Sequence, residues 1–366
     1  MKRIPGCVLI VSCLAAAAYG QESAKPNVAV FDARHELKIN VPKGAKRVRA
    51  WFTVPQDESH QKVSRFKVES PVPYRIERDK TEGSKFLYID ADVSGQTGKD
   101  LTLVTTFRLT REEVRRNLNA SRAGDIAGID KSRMKRYLDA NANVIIDDRV
   151  RKLAGEIVGN ESNAVAAARK IYDYVLQYAD YWVIEPASKK ASAVGSTEYC
   201  LATRTGNCTD FHSLWTSLAR AAGIPTRIVY GSFFKKELDG QDVDQSYHCW
   251  TEFYAPGLGW LSQDVAVADL FAQEIKLDEQ NRTLVQRTTP AGYFGKNMKL
   301  VDYYFGNLDE RRVVWSVGRD LELSPRQSGG PVNAIAKAYV EIDGTVAKEG
   351  ASADWVRKLT FREVKM

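Results

Sequence analysis

Cysteine and histidine are scarce in this chain, at five and four of 366 residues. Cys7 and Cys13 fall in an N-terminal segment that reads as cleavable, which leaves Cys200, Cys208 and Cys249. Three thiols are too few for a disulfide scaffold, and an odd number leaves at least one free or paired with another chain. No apolar run beyond the N-terminus is long enough to span a bilayer. There is no internal repeat, and no low-complexity tract beyond the N-terminal segment. An excess of one charge is nearly missing too. The 53 Lys and Arg against 46 Asp and Glu give +7, and +5 once Lys2 and Arg3 are removed. Basic residues gather loosely at Lys131–Arg136 and at Arg149, Arg151 and Lys152. No stacking aromatics interleave with them, so they read as solvated faces, and no nucleic-acid partner is expected.

What remains is globular composition, 44% hydrophobic and 27% charged, in a length that suits two or three domains. Lys2 and Arg3 form a short positive region, Ile4–Ala18 an apolar run, and Ala18-Tyr19-Gly20 a small-residue cleavage site. Residues 1–20 therefore read as a signal peptide, and the mature protein is expected in the periplasm or outside the cell. Ile10-Val11-Ser12-Cys13 resembles a lipobox, which would lipidate Cys13. The apolar run continuing through Ala15–Ala18 argues against it.

Residues 21–112 read as a β-sandwich domain. Leu37, Ile39 and Val41 alternate, then Val48, Ala50, Phe52 and Val54, then Leu101, Leu103, Thr105, Phe107 and Leu109, with Gly and Pro between the runs. From Arg111 the period turns helical, which predicts a helical linker over 113–150 and a helix over 163–179 with Val165, Ala168, Tyr172 and Val175 on one face. A second helix, 208–222, buries Phe211, Leu214, Trp215 and Leu218 and stops at Gly223 and Pro225. Thr226–Phe234, Tyr247–Tyr254, Trp260–Val265 and Arg311–Val317 read as strands of a domain over 151–325. A β extension, 326–366, holds a hairpin at Asp343-Gly344.

The chemistry concentrates in Gly206-Asn207-Cys208-Thr209-Asp210-Phe211-His212, His248-Cys249-Trp250-Thr251-Glu252 and Asp264. Cys208 opens an amphipathic helix, where unpaired N–H groups and the positive end of the dipole favour a thiolate and can hold an oxyanion. Gly206 would let a substrate backbone approach. The bland alternative for Cys208 is a small buried apolar residue. His248 and Asp264 flank a Gly-containing turn symmetrically and share parity, so they fall at similar height on adjacent strands. A carboxylate beside an imidazole fixes its tautomer and favours the imidazolium. His212, one turn after Cys208, is a rival base, expected to support the site instead. Cys249 alternates with His248 and is expected to face the core, and a Cys200–Cys249 disulfide is left open. A zinc site is disfavoured because Cys-x7-Cys and Cys-x3-His are not structural zinc spacings. No metal and no cofactor is expected. Trp182, Tyr199, Trp250 and Trp260 are candidates to line a substrate groove, Trp250 foremost because it shares the parity of His248.

These residues resemble the transglutaminase-like family. The Gly206–Phe211 motif, the helix exit Ala221-Ala222-Gly223-Ile224-Pro225-Thr226-Arg227, His248–Tyr254, Gly259-Trp260 and Asp264 occur in the family's order. The resemblance implies an α+β, papain-like core with Cys208 as nucleophile, His248 as general base and Asp264 orienting it. It also implies a protein or peptide substrate, attacked at a peptide or glutamine-type amide through a thioester, with transfer to an amine or to water. No dense acidic cluster of a calcium-dependent member is present. The alternative function is a non-enzymatic binding or assembly protein in which the β domain recognises a partner and the core is a scaffold.

Overall fold

Six strands open the described chain: β1 (Val28–Ile39), β2 (Arg47–Thr53), β3 (Gln61–Glu69), β4 (Tyr74–Arg78), β5 (Lys85–Asp92) and β6 (Leu101–Glu112). Every second residue of β1 from Ala29 to Ile39 is buried, the signature of a strand with one face on a core. The structure is a computed structural model and describes residues 25–95, 99–116, 118, 120–350 and 352–365. The signal peptide and the lipobox alternative at Cys13 lie outside the described residues.

The segment after β6 is not a helical linker. Among the described residues it holds three single 3-10 turns, Ala120–Arg122, Ile126–Gly128 and Lys135–Tyr137, and the first α-helix begins at Asp148. Side chains there compete with the helical ladder. Asp130 accepts the Ser132 and Arg133 N–H groups at 3.0 and 3.2 Å, and Asn163 Nδ2 donates to the Ala120 and Ala123 carbonyls at 2.9 Å.

The helical half then runs α1 (Asp148–Val158), α2 (Ala164–Tyr178), β7 (Asp180–Tyr181), α3 (Thr197–Thr203), β8 (Thr205–Gly206), α4 (Cys208–Ala221), β9 (Thr226–Phe233), β10 (Tyr247–Ala255) and β11 (Gly259–Gln263). It continues through α5 (Val265–Ala272), α6 (Arg282–Thr288), α7 (Met298–Tyr303) and β12 (Arg312–Val317). An antiparallel sheet ordered β11-β10-β9-β12 carries α4 on one face. Phe211, Leu214, Trp215 and Leu218 of α4 share a core with Ile228, Tyr230, Cys249 and Phe253 of the sheet. This is the α+β arrangement expected, a helix bearing Cys208 on an antiparallel sheet. No helix among the described residues is long and apolar enough to cross a membrane.

The last strands are β13 (Ala338–Ile342), β14 (Thr345–Val346) and β15 (Trp355–Glu363). They do not form an extension of their own. β15 pairs with β1 in a sheet ordered β15-β1-β6-β3, and β13 pairs with β2 in one ordered β14-β13-β2-β5-β4. The two sheets face each other across Leu37, Ile39, Leu103, Phe52, Ile89, Val340 and Trp355. The N-terminal sandwich is thus completed by the last strands, with the helical half inserted between. β1 and β2 supply paired, half-buried backbone only when these late strands cover their free edges.

Candidate active site

Cys208 is the first residue of α4, and what precedes it fixes the helix start. Asn207 Oδ1 accepts the N–H groups of Thr209 and Asp210 at 2.9 and 3.2 Å, and Asp210 Oδ2 accepts the Asn207 N–H at 2.9 Å. This reciprocal cap uses the free amides of Thr209 and Asp210. The Cys208 N–H stays outside it and donates to the Tyr181 hydroxyl at 2.9 Å. Gly206 serves the cap and not a ligand: a Cβ there would stand 2.3 Å from Asp210 Cβ. Asp210 also accepts the Ser192 hydroxyl and the Ser196 N–H, tying the loop before α3 to the helix start.

His248 and Asp264 meet, but not on two strands. The β10–β11 register pairs Thr251 with Gln263, and β11 ends there. Asp264 is the N-cap of α5, and its Oδ1 accepts the Val267 N–H at 3.0 Å. Its Oδ2 lies 2.8 Å from His248 Nε2 and also accepts from Arg312 of β12. Asp264, Arg312 and His248 are all buried. Burial pushes the carboxyl up, but the His248 and Arg312 charges outweigh it and hold it far below the ordinary carboxylate range. Burial likewise pulls His248 down, and the Asp264 carboxylate and Cys208 sulfur overcome it, raising His248 to about 9. Cys208 is lowered well below an ordinary thiol, first by a hydrogen bond from Cys249 and then, against burial, by the His248 charge and hydrogen bond. Both directions favour the thiolate–imidazolium form of the pair.

His212 and Cys249 belong to this cluster. Cys249 is buried against α4, as alternation predicts, in one core with Cys208 and Phe211. The His212 Nδ1 is 3.4 Å from Cys249 Sγ, and its Nε2 is 3.5 Å from Asp264 Oδ1. Burial lowers His212 to about 4, so it is neutral. No Cys200–Cys249 disulfide forms: Cys200, Cys208 and Cys249 are free thiols. Among the described residues no group of three or more His, Cys, Asp or Glu is arranged to hold a metal.

The aromatic candidates sit elsewhere. Trp250 is fully buried in a cluster with Val114, Val229, Leu308 and Val314, with the Arg312 guanidinium 5.4 Å from its ring. Trp260 lies under Arg227 at 4.4 Å and edge-on to Tyr137 at 4.8 Å, and with Trp250 it lines a cavity on the far side of the sheet from α4. Tyr199 lies on α3, where its N–H donates to the Ser196 cap, and Trp182 packs against the helical core. The cavity flanking Cys208, 380 Å³ in volume, is lined by Asn207, Thr209, Tyr247, Gly195 and the stretch 333–338. None of the four aromatics lines it.

Two residues of the site escaped sequence reasoning. Tyr181 is 27 positions before Cys208 and reaches it because β7 pairs in parallel with β8, Tyr181 opposite Gly206. Arg312 is 48 positions after Asp264 and reaches it because β12 adds to β9. The polar loop 235–246 is sewn to the sandwich. Gly240 and Val243 donate to the Phe361 and Leu359 carbonyls of β15 at 2.9 and 2.7 Å, and Lys337 Nζ donates to Asp244 at 2.8 Å.

With this geometry, residues 151–265 match the family model of the transglutaminase-like superfamily. An uncharacterized protein of Haemophilus influenzae is 26% identical to the chain, covering 94% of this chain and 95% of its own. Protein YebA of Bacillus subtilis, also uncharacterized, is 28% identical across 32% of this chain and 17% of its own. A candidate cysteine protease from Cytophaga hutchinsonii shares the fold, with a TM-score of 0.53 at 15% identity over 92% of this chain and 98% of that one. A cysteine-bearing helix start, an antiparallel sheet and the family match coincide over one stretch, and residues 151–265 are similar to a transglutaminase-like core domain.

Proposed function

We propose that this protein is an exported thiol enzyme that cleaves or transfers peptide or glutamine-type amide bonds through Cys208, His248 and Asp264. The single observation carrying the proposal is His248, held 2.8 Å from a buried carboxylate and in charge contact with a sulfur at a helix start. The Cys208 thiolate attacks the amide carbonyl carbon. The carbonyl oxygen becomes an oxyanion, which the Cys208 N–H holds. The Tyr181 hydroxyl, which accepts that N–H at 2.9 Å before substrate enters, releases it and turns its own proton to the oxyanion as a second donor. The C–N bond breaks as His248 gives its proton to the leaving amine, and a thioester remains. Water or a second amine then attacks the thioester, gives its proton to His248 and releases Cys208 as thiolate. Asp264 holds the imidazole in the tautomer that both steps need. Export rests on the sequence of residues 1–20.

The experiment incubates the mature protein with a glutamine-containing peptide, with and without a primary amine. Ammonia, peptide cleavage and amine incorporation are followed by mass spectrometry. Wild type should yield one of the three products and Cys208→Ala none. Equal turnover by Cys208→Ala would sink the reading. Amine incorporation outrunning hydrolysis identifies a transferase, and the reverse a peptidase or amidase.

A further inference from the structure

Helix α5 is apolar at every position but one. Its single polar side chain, Asp269, is fully buried among Val265, Val267, Leu270 and Phe271 of the same helix. A buried carboxyl is costly unless it is hydrogen-bonded, and Asp269 makes one such bond, its Oδ2 accepting the Tyr181 N–H at 2.9 Å. Its Oδ1 has no hydrogen-bond partner among the described residues. We propose that Asp269 is a positioning residue for Tyr181, tying its backbone to α5 so that its hydroxyl stays beside Cys208 when it releases the Cys208 N–H. This rests on the reading of Tyr181 as the second oxyanion donor and adds what keeps that donor in place.

Tyr181 is held at both ends. Its hydroxyl accepts the Cys208 N–H at 2.9 Å, and its own N–H is bound to Asp269. Between the two, its ring lies against Phe211 of α4 with centroids 5.6 Å apart. Substrate removes the first tether, because the hydroxyl must let go of the N–H before it donates to the oxyanion. The strand itself offers little in exchange, since β7 is only two residues long. The hold that remains comes from α5. Gln273, the C-cap of that helix, donates from Nε2 to Asp180 Oδ1 at 3.0 Å, so both residues of β7 are fastened to one helix.

The same helix starts at Asp264, whose Oδ2 lies 2.8 Å from His248 Nε2. One support therefore fixes the imidazole at its first end and the tyrosine from its middle and last turn. Misplacing a reacting group by about 1 Å can cost about 10²-fold in rate, so a shared support for base and oxyanion donor has catalytic weight. Burial drives the Asp269 carboxyl well above the ordinary range, against the pull of the Tyr181 N–H, and the Asp180 charge adds to the rise. The group is neutral, so asparagine reproduces both its shape and its acceptor oxygen, whereas alanine has no acceptor.

The test compares two reactions of Cys208 in the full mature chain, each resolved by peptide mass spectrometry. p-Nitrophenyl acetate acetylates the sulfur through an oxyanion and expels p-nitrophenolate. Iodoacetamide alkylates it by displacing iodide and forms no oxyanion. Tyr181→Phe should slow acetylation by about 10²-fold and Asp269→Ala by roughly tenfold, with alkylation at the wild-type rate in both. Asp269→Asn should recover most of the loss, and Asp269→Ala should add nothing in a Tyr181→Phe background. Equal slowing of both reactions by Asp269→Ala, or of neither, overturns the proposal, as does a full further loss in the double variant. The underlying readings fail differently. Unchanged acetylation in Tyr181→Phe removes Tyr181 as a donor and the proposal with it. Wild-type Cys208 reacting no faster than Cys200 with either reagent sinks the thiol-enzyme reading and everything built on it. Hydrogen exchange of the native protein decides without any variant. The Tyr181 amide must exchange slowly, and a rate equal to that of an unprotected peptide overturns the proposal.

Discussion

The sandwich buries His35 and the helical half buries His248, and the two fare in opposite ways. His35 of β1 lies between Phe52 and Trp315, with ring centroids at 4.1 and 4.9 Å, and neither ring nitrogen has a hydrogen-bond partner among the described residues. Burial, aided by the charge on Arg357, drives it well below an ordinary histidine. His248 is as deeply buried, yet it is raised to about 9 by Asp264 and Cys208. Burial therefore does not decide the charge of an imidazole here. A carboxylate at 2.8 Å does, provided another group keeps that carboxylate ionised, and Arg312 is that group.

The comparison breaks most violently at Asp264. Asp264→Asn strands His248 and Arg312 without their counter-charge in a dry interior. Amide turnover should fall by about 10⁴-fold, and urea unfolding should show a loss of about 3–5 kcal/mol. Retained turnover would mean that His248 needs no carboxylate. The next effect is on pH. The raised His248 keeps its proton until about 9, so turnover limited by protonation of the leaving amine should decline as pH rises through about 9. A decline near 6.5 instead would place His248 among ordinary histidines.

At His35 the sign reverses. Its folded-state value is depressed, so the neutral ring is at no disadvantage above the unfolded value of about 6.5, and stability is lost as pH falls below that. The loss should approach about 1.4 kcal/mol per pH unit, and His35→Phe should flatten it. Melting curves between pH 4.5 and 7 measure both, and an unchanged slope in His35→Phe would assign the acid lability to another group. The smallest effect is expected at Trp260. Its stacking with Arg227 contributes about 0.5–1 kcal/mol, and it lies on the far side of the sheet from Cys208. Trp260→Ala should melt slightly lower and turn over substrate like wild type. A large rise in KM would return Trp260 to the substrate groove.

What the sequence made legible was local. The α4 start could be read because Gly206-Asn207 and Asp210 are the groups that cap it, and Gly223 and Pro225 end it. Parity brought His248 and Asp264 near each other, although the strand ends one residue early and Asp264 reaches the imidazole from a helix cap. Tyr181 and Arg312 were invisible because strand pairings between distant segments bring them in, and nothing beside them in sequence marks that. The segment after β6 misled through its composition. Its apolar spacing resembles a helix, while Asp130 and Asn163 draw off the backbone groups a helix would need. Trp250 misled because parity predicts a face and not whether that face is open.

Closure of the sandwich by β13 and β15 has a consequence for how the molecule comes into being. The β1–β15 ladder joins Phe31 to Glu363, so the first described strand must wait for almost the whole chain before one of its edges is paired. Contacts of such sequence separation are slow to form, and an unpaired edge is exposed meanwhile. The 235–246 loop is stitched to that same late strand. Maturation of the surroundings of Cys208 is therefore scheduled to the end of synthesis. A nascent chain lacking residues beyond about 332 would own Cys208, His248 and Asp264 and still lack the 333–338 wall of the cavity beside them.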